Sequence, residues 1–191
     1  GDEPHAPYHR PPLSKGLLTG ATTLQQLVLR SPDFFADNAI DLRLGVRAQA
    51  IDTAARTVAL ADGSSLEYQC LMLATGARPR ALPLPGANLR GVLQLRTLDD
   101  ALTLAEARKA AAHVVVIGGG FIGLEVAAAL RTSGADVTVV ESQRRLLART
   151  FLPAMSGYVE RFHRARGVQI LLDRGVRALH GSGGVEAVEL D

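Results

Sequence analysis

Three glycines, Gly118, Gly120 and Gly123, stand at the spacing G-x-G-x-x-G within HVVVIGGGFIGLEVAAAL, His113 to Leu130. The turn lies between an apolar run that reads as a strand and one that reads as a helix, the context in which this spacing binds a dinucleotide pyrophosphate. Gly118 permits the tight turn, Gly120 lets the backbone approach the phosphates, and Gly123 lets the helix close on the strand. Gly119, Phe121 and Ile122 complete the loop, and the helix start presents N–H groups and a positive dipole end. Glycines serving only tight packing are the competing reading. Glu141 ends the next apolar run, about twenty residues on, where a carboxylate accepts hydrogen bonds from both hydroxyls of an adenosine ribose and repels a 2′-phosphate. Such a site favours NAD over NADP. Arg144 and Arg145 just downstream either pair with such a phosphate or are a solvated helix entry. Glu125, read as lying in the first turn of the glycine-loop helix, either favours the helix dipole or faces the nicotinamide end of the cofactor. Earlier in the chain Arg10 and Lys15, separated by PPLS, place two cations beside a proline-fixed turn, which alone is an ordinary surface feature.

The elements that must position these residues have two textures. After Leu98, DDALTLAEARKAAA reads as a helix with Thr97 as N-cap and acids in its first turn. A strand (VVVIG), a helix (FIGLEVAAALRTSG), a strand (DVTVVE), a helix from Pro153 to Arg166 and a strand (VQILL) follow. The order β-α-β-α-β predicts an α/β fold with a parallel, doubly wound sheet. The tail GVRALHGSGGVEAVELD reads as the opening of a hairpin. Residues 1–98 are β-rich with little helix. A proline-rich start ends in a short helix, and a second short helix is predicted from Asp33 to Ala36. Two strands lie between Leu42 and Ala61 with Asp52 to Arg56 as their turn, and Asp62-Gly63 turns into a strand at Ser65 to Tyr68. CLMLATG reads as a buried strand stopped by Gly76. The domains predicted are therefore 1–98 and 99–191.

With 191 residues and 47% hydrophobic content the chain has material for a buried core. A net charge of +2, scattered rather than clustered, argues against nucleic acid as a partner. No apolar run reaches the roughly 18 residues of a membrane span, so no membrane is expected either. The start GDEPHAPYHR has neither an apolar signal core nor an amphipathic transit pattern, which makes the cytoplasm the expected compartment. Arg outnumbers Lys nineteen to two, which codon bias explains, although such a surface also suits an acidic protein partner. The single cysteine, Cys70, reads as a small buried hydrophobe and builds neither a disulfide framework nor a cysteine metal site.

PYHRPPLSK (Pro7 to Lys15), LATGARPRALPLPG (Leu73 to Gly86), LRTLDDA (Leu95 to Ala101) and VVVIGGGFIGLEVAA (Val114 to Ala128) follow one another in collinear order. Together they resemble the FAD-dependent NADH:ferredoxin reductases of bacterial oxygenase and cytochrome P450 systems, over essentially the whole chain. The resemblance implies a two-dinucleotide-binding-domain flavoprotein of the glutathione-reductase-like fold. Its Rossmann-type NAD domain is inserted in an FAD domain, here incomplete, so that 1–98 serves FAD and 99–191 serves NAD. By position, Asp2 matches the acid at a strand end that contacts the FAD ribose, with Glu3 as a rival. Arg10 and Lys15 match cations against the flavin and its pyrophosphate, and Lys15 near the isoalloxazine would support negative charge on reduced flavin. Ala48, where the family usually has Val, matches a backbone contact to the adenine. Thr75, Gly76 and Arg96 match positions along the FAD. In the second site the resemblance assigns Gly118 through Gly123, Glu125, Glu141 and Arg149 to NAD, with Glu125 at the nicotinamide amide. Lys15 and Glu125 are thus the implied catalytic supports, and a ferredoxin-type [2Fe–2S] protein is the implied partner. Gln69 departs from the Asp that commonly follows Tyr in the family.

Other readings compete. Rubredoxin reductases, nitrite reductase flavin domains and apoptosis-inducing-factor relatives share parts of these motifs, whereas disulfide reductases carry a cysteine pair that PHAPYHRPPLSK lacks. The family also has a first glycine turn ahead of the position of Asp2 and further segments past Asp191. These residues alone are therefore expected to form a colourless, inactive nucleotide-binding fragment, whose uncovered strand edges favour self-association.

Overall fold

The computed structural model describes residues 1–191. Contacts divide the chain into two compact units, Gly1–His9 with Leu24–Arg78, and Arg10–Thr23 with Pro79–Asp191. The second unit starts with a 3-10 turn over Pro11–Ser14, led by prolines whose fixed φ suits a helical first turn, and with α1 (Gly16–Thr19). The chain then builds the first unit.

That first unit holds two short helices, α2 (Leu24–Leu27) and α3 (Pro32–Asp37), and an antiparallel sheet. The sheet runs β1 (Ala48–Asp52), β2 (Thr57–Leu60) and β3 (Ser65–Glu67) in sequence order. Its turns form as the residues dictate. Asp52 Oδ1 accepts the N–H groups of Ala54 and Ala55 at 2.9 and 2.8 Å, and Asp62 Oδ1 accepts that of Ser64 at 2.9 Å beside Gly63, whose φ is +85°. Two expectations fail here. Residues 42–47 carry no strand, so the first strand starts at Ala48. CLMLATG is not a buried strand: it belongs to no sheet, Met72 and Leu73 are 88% and 66% exposed, and Cys70 is exposed rather than buried. The physical reason is pairing, because β1 to β3 form their own sheet and no strand flanks this run.

In the second unit α4 (Leu98–Ala107) begins with the expected cap. Thr97 Oγ1 accepts the Asp100 N–H at 3.2 Å while Asp100 Oδ2 accepts the Thr97 N–H at 2.9 Å, a complete capping box. Then come β4 (His113–Ile117), α5 (Phe121–Thr132), β5 (Asp136–Val140), α6 (Pro153–Arg164) and β6 (Gln169–Leu171). The three strands form one parallel sheet in the order β4-β5-β6, with Val116 opposite Val139 and Val139 opposite Ile170. This is the predicted βαβαβ arrangement. An antiparallel hairpin of β7 (Val176–His180) and β8 (Ala187–Leu190) closes the chain, as its tail suggested. The core gathers Leu124, Ala127 and Leu130 of α5, Val137 and Val139 of β5, Ile170 of β6, the loop residue Leu146, and Leu18 of α1. No helix is long and apolar enough to cross a membrane.

Candidate dinucleotide site

The glycine turn sits where β4 hands over to α5, and each glycine has a distinct physical role. Gly118 has φ +107°, a conformation L side chains rarely adopt, and its N–H donates to Val140 O at 2.8 Å, which fastens the turn to β5. A Cβ on Gly123 would lie 2.2 Å from Gly118 O, so only glycine lets the helix approach this closely. A Cβ on Gly120 would meet nothing within 4 Å. Its absence leaves open space beside the start of α5, where no side chain caps the first-turn N–H groups that a helix leaves without intrahelical partners. A Cβ would fill that cradle, so the residues present fit a dinucleotide pyrophosphate.

Glu141 follows β5, and its carboxylate is fixed against the turn. One oxygen accepts the Gly119 N–H at 2.7 Å, and the other accepts the Gln143 N–H at 2.8 Å. The loop after it is clamped by Arg145, whose guanidinium donates to Phe151 O, to Ala148 O at 2.8 Å and to Ser156 Oγ at 3.0 Å, the serine being fully buried. Leu147 in that loop has φ +52° and donates its N–H to Gly119 O at 3.0 Å. Such a conformation costs a non-glycine residue about 1–2 kcal/mol, which the surrounding contacts must outweigh. Arg145 therefore belongs to the loop that braces the glycine turn, and of the two candidate phosphate cations only Arg144 remains uncommitted to it. Arg149 is exposed on the same loop.

Glu125 is the fifth residue of α5, beyond the first turn expected for it, and α5 has no acid in its first turn. The helix dipole has little hold there. What holds the side chain instead is the segment 10–23. Lys15 Nζ lies 2.7 Å from Glu125 Oε2, and Ser14 Oγ donates to the same oxygen at 2.5 Å. Burial alone would raise the Glu125 carboxyl. The hydrogen bonds from Lys15 and Ser14 and the Lys15 charge outweigh it and keep the group below its ordinary value. The pairing is possible because Leu13 and Ser14 are buried and Leu18 enters the core, which pins PPLSK to α5. Ser14 was not singled out from the sequence; its one signal was adjacency to Lys15 in PLSK. Arg10 Nη1 donates to Arg96 O at 2.8 Å, and the Arg96 N–H donates to Asp100 Oδ2 at 2.9 Å, so these two arginines also meet through the α4 cap.

The remaining candidates belong to the first unit. Asp2 is ion-paired with Arg78, and Glu3 accepts from the Tyr8 hydroxyl. Ala48 is exposed on β1 opposite Leu60. Thr75 and Gly76 lie in the irregular run after β3, where Gly76 has φ +68°. The candidate FAD residues thus divide between the units, with Arg10, Lys15 and Arg96 in the second. Those three are all cations, a donor set that fits an anionic dinucleotide.

The profile of the family described as "Pyridine nucleotide-disulphide oxidoreductase" matches residues 1–191. Rhodocoxin reductase from Rhodococcus erythropolis is 47% identical over 184 residues, 96% of this chain and 43% of its own. Among solved structures, the ferredoxin reductase for the CYP199A2 system from Rhodopseudomonas palustris superposes with a TM-score of 0.95 at 43% identity, covering 99% of this chain and 47% of that one. The covalent putidaredoxin reductase–putidaredoxin complex gives 0.92 at 40% identity, covering 100% and 47%. The chain therefore spans less than half the length of the relatives it matches.

Proposed function

The chain belongs to the pyridine nucleotide-disulphide oxidoreductase family, and on that premise we propose that it is part of a cytoplasmic flavoprotein that passes electrons from NADH through FAD to a ferredoxin-type [2Fe–2S] protein of an oxygenase or cytochrome P450 system. In this reading residues 99–191 bind NAD and residues 1–98 contribute to the FAD site. When bound, FAD supplies the conversion of a two-electron hydride into single electrons. The chain's own residues do the positioning. The α5 start and Gly120 hold the NAD pyrophosphate, Glu141 takes the adenosine ribose, and Arg149 flanks it. Glu125 addresses the nicotinamide end. Lys15, Arg10 and Arg96 supply positive charge for the flavin and its pyrophosphate, and Asp2, Ala48, Thr75 and Gly76 of the first unit are assigned to FAD as well.

One observation carries the proposal: Lys15 and Glu125, assigned to different cofactors, stand 2.7 Å apart. Two cofactors that exchange a hydride must be held within contact, and a cation and a carboxylate that touch are placed to address both. Similarity to rhodocoxin reductase and to the reductase of the putidaredoxin complex supports the electron acceptor. The segment PHAPYHRPPLSK, where disulfide reductases carry their cysteine pair, holds no cysteine, which favours this reading over a dithiol mechanism. The test is anaerobic addition of NADH to the flavin-loaded full-length protein that carries these residues, followed by oxidised [2Fe–2S] ferredoxin or rubredoxin. Bleaching of the flavin bands and preferential ferredoxin reduction are expected. Absence of bleaching refutes the reading, and faster rubredoxin reduction replaces the acceptor.

A further inference from the structure

The exits of β5 and β6 are clipped together by two backbone hydrogen bonds, Asp173 N–H to Gln143 O at 3.2 Å and Arg174 N–H to Glu141 O at 3.1 Å. Beside the clip opens a cleft of about 380 Å³ lined by Ser142, Gln143, Arg144, Arg145, Ala148 and Asp173. Glu141 adjoins it in sequence and is anchored to the glycine turn. A 2′-phosphate on a ribose at Glu141 would therefore be directed into this cleft. The charges that would meet it are few. Arg145 is committed to Phe151, Ala148 and Ser156. Arg144 is the remaining cation of the cleft, and its Nε lies 3.7 Å from Asp173 Oδ2. Asp173 is held at φ +55° by the clip, so its position is set by the backbone rather than by the ion pair.

Resting on the NAD reading of the glycine turn, we propose that Asp173 is a specificity-determining residue: its carboxylate neutralises Arg144 and leaves the cleft without an available cation for a 2′-phosphate, so that dinucleotide choice is shared between Glu141 and Asp173. Glu141 repels the phosphate at the ribose. Asp173 acts one step further out, on the arginine of the cleft that the loop does not hold. Because the pair is solvent-exposed, the effect is modest and salt-sensitive.

The test is a double-mutant cycle read by binding rather than turnover, titrating the protein with NADH and NADPH and following nicotinamide fluorescence. The chain has no tryptophan to overlap with it. Asp173→Asn should tighten NADPH about fivefold and change NADH less than about twofold, and adding Arg144→Ala should abolish the gain. An unchanged NADPH-to-NADH ratio in Asp173→Asn overturns the proposal, as does a gain that survives Arg144→Ala. If the unmodified protein binds neither dinucleotide, the NAD reading falls and this proposal with it. NADH binding with an unmoved ratio sinks the proposal alone.

Discussion

DVTVV of β5 and CLMLATG after β3 are both short apolar runs, yet they end in opposite states. Val139 of β5 is fully buried, with β4 and β6 on its two hydrogen-bonding edges and α5 across its face, whereas Met72 is 88% exposed in a run that no strand flanks. Hydrophobicity alone therefore does not make a strand: edges and faces both need partners. The widest contrast is expected from leucine truncations. Leu130→Ala removes a fully buried side chain from the core around β5 and should cost about 2–5 kcal/mol. Leu73→Ala in the same chain should stay within about 0.5 kcal/mol. Urea unfolding of both variants is the measurement, and a Leu73 cost close to that of Leu130 would show that the run has a packing partner and break the comparison.

A sharper contrast lies within the second unit, between two glycines of one turn. Gly123→Ala drives a Cβ against a backbone carbonyl that cannot swing away, and should lower stability by about 1–3 kcal/mol. Gly120→Ala meets nothing in the protein, so its melting temperature should hold. It does occupy the space where a pyrophosphate would approach, and NADH should bind about tenfold more weakly, which is about 1.4 kcal/mol. Thermal melts and NADH titrations of both variants would show whether fold and ligand divide this way. A Gly120→Ala protein that lost stability but kept NADH would reverse the assignment of the two glycines.

The features legible in the sequence were those whose chemistry is local. Thr97 and Asp100 satisfy each other's N–H groups across one helical turn, so RTLDDA announced its helix start; Asp62-Gly63 made its turn, and the glycine spacing stood between strand and helix as expected. Thr97→Ala should accordingly cost about 1 kcal/mol of stability in urea unfolding, independent of what α4 packs against. What was not legible depended on distant partners. The fate of CLMLATG was decided by which strands were available to pair. Arg145 looked like a phosphate cation because its acceptors, Ala148, Phe151 and Ser156, are revealed only by the path of the loop. Ser14 carried no pattern at all, and its role follows from Leu13 and Leu18 burying the segment that presents it.

The smallest expected effect separates the two units by their ion pairs. Asp2–Arg78 in the first unit is exposed on both sides, at 49% and 68%, and Asp2→Asn should leave stability unchanged. Lys15–Glu125 in the second is partly buried on the acid's side and reinforced by Ser14. Because the folded protein holds the Glu125 carboxyl below its ordinary value, its contribution is fully present above the unfolded-state value, near pH 4.5. It is lost as pH falls through the lower, folded value. Glu125→Gln should therefore cost up to about 1 kcal/mol at pH 7, and the gap to the unmodified protein should close as the solution is acidified through and below the ordinary carboxylate range. Urea unfolding of Glu125→Gln and Asp2→Asn at pH 7 and at a pH below the ordinary carboxylate range is decisive. A gap that stayed constant with pH would mean that Glu125 acts through packing rather than charge, and an Asp2 effect as large as that of Glu125 would remove the distinction between the two pairs.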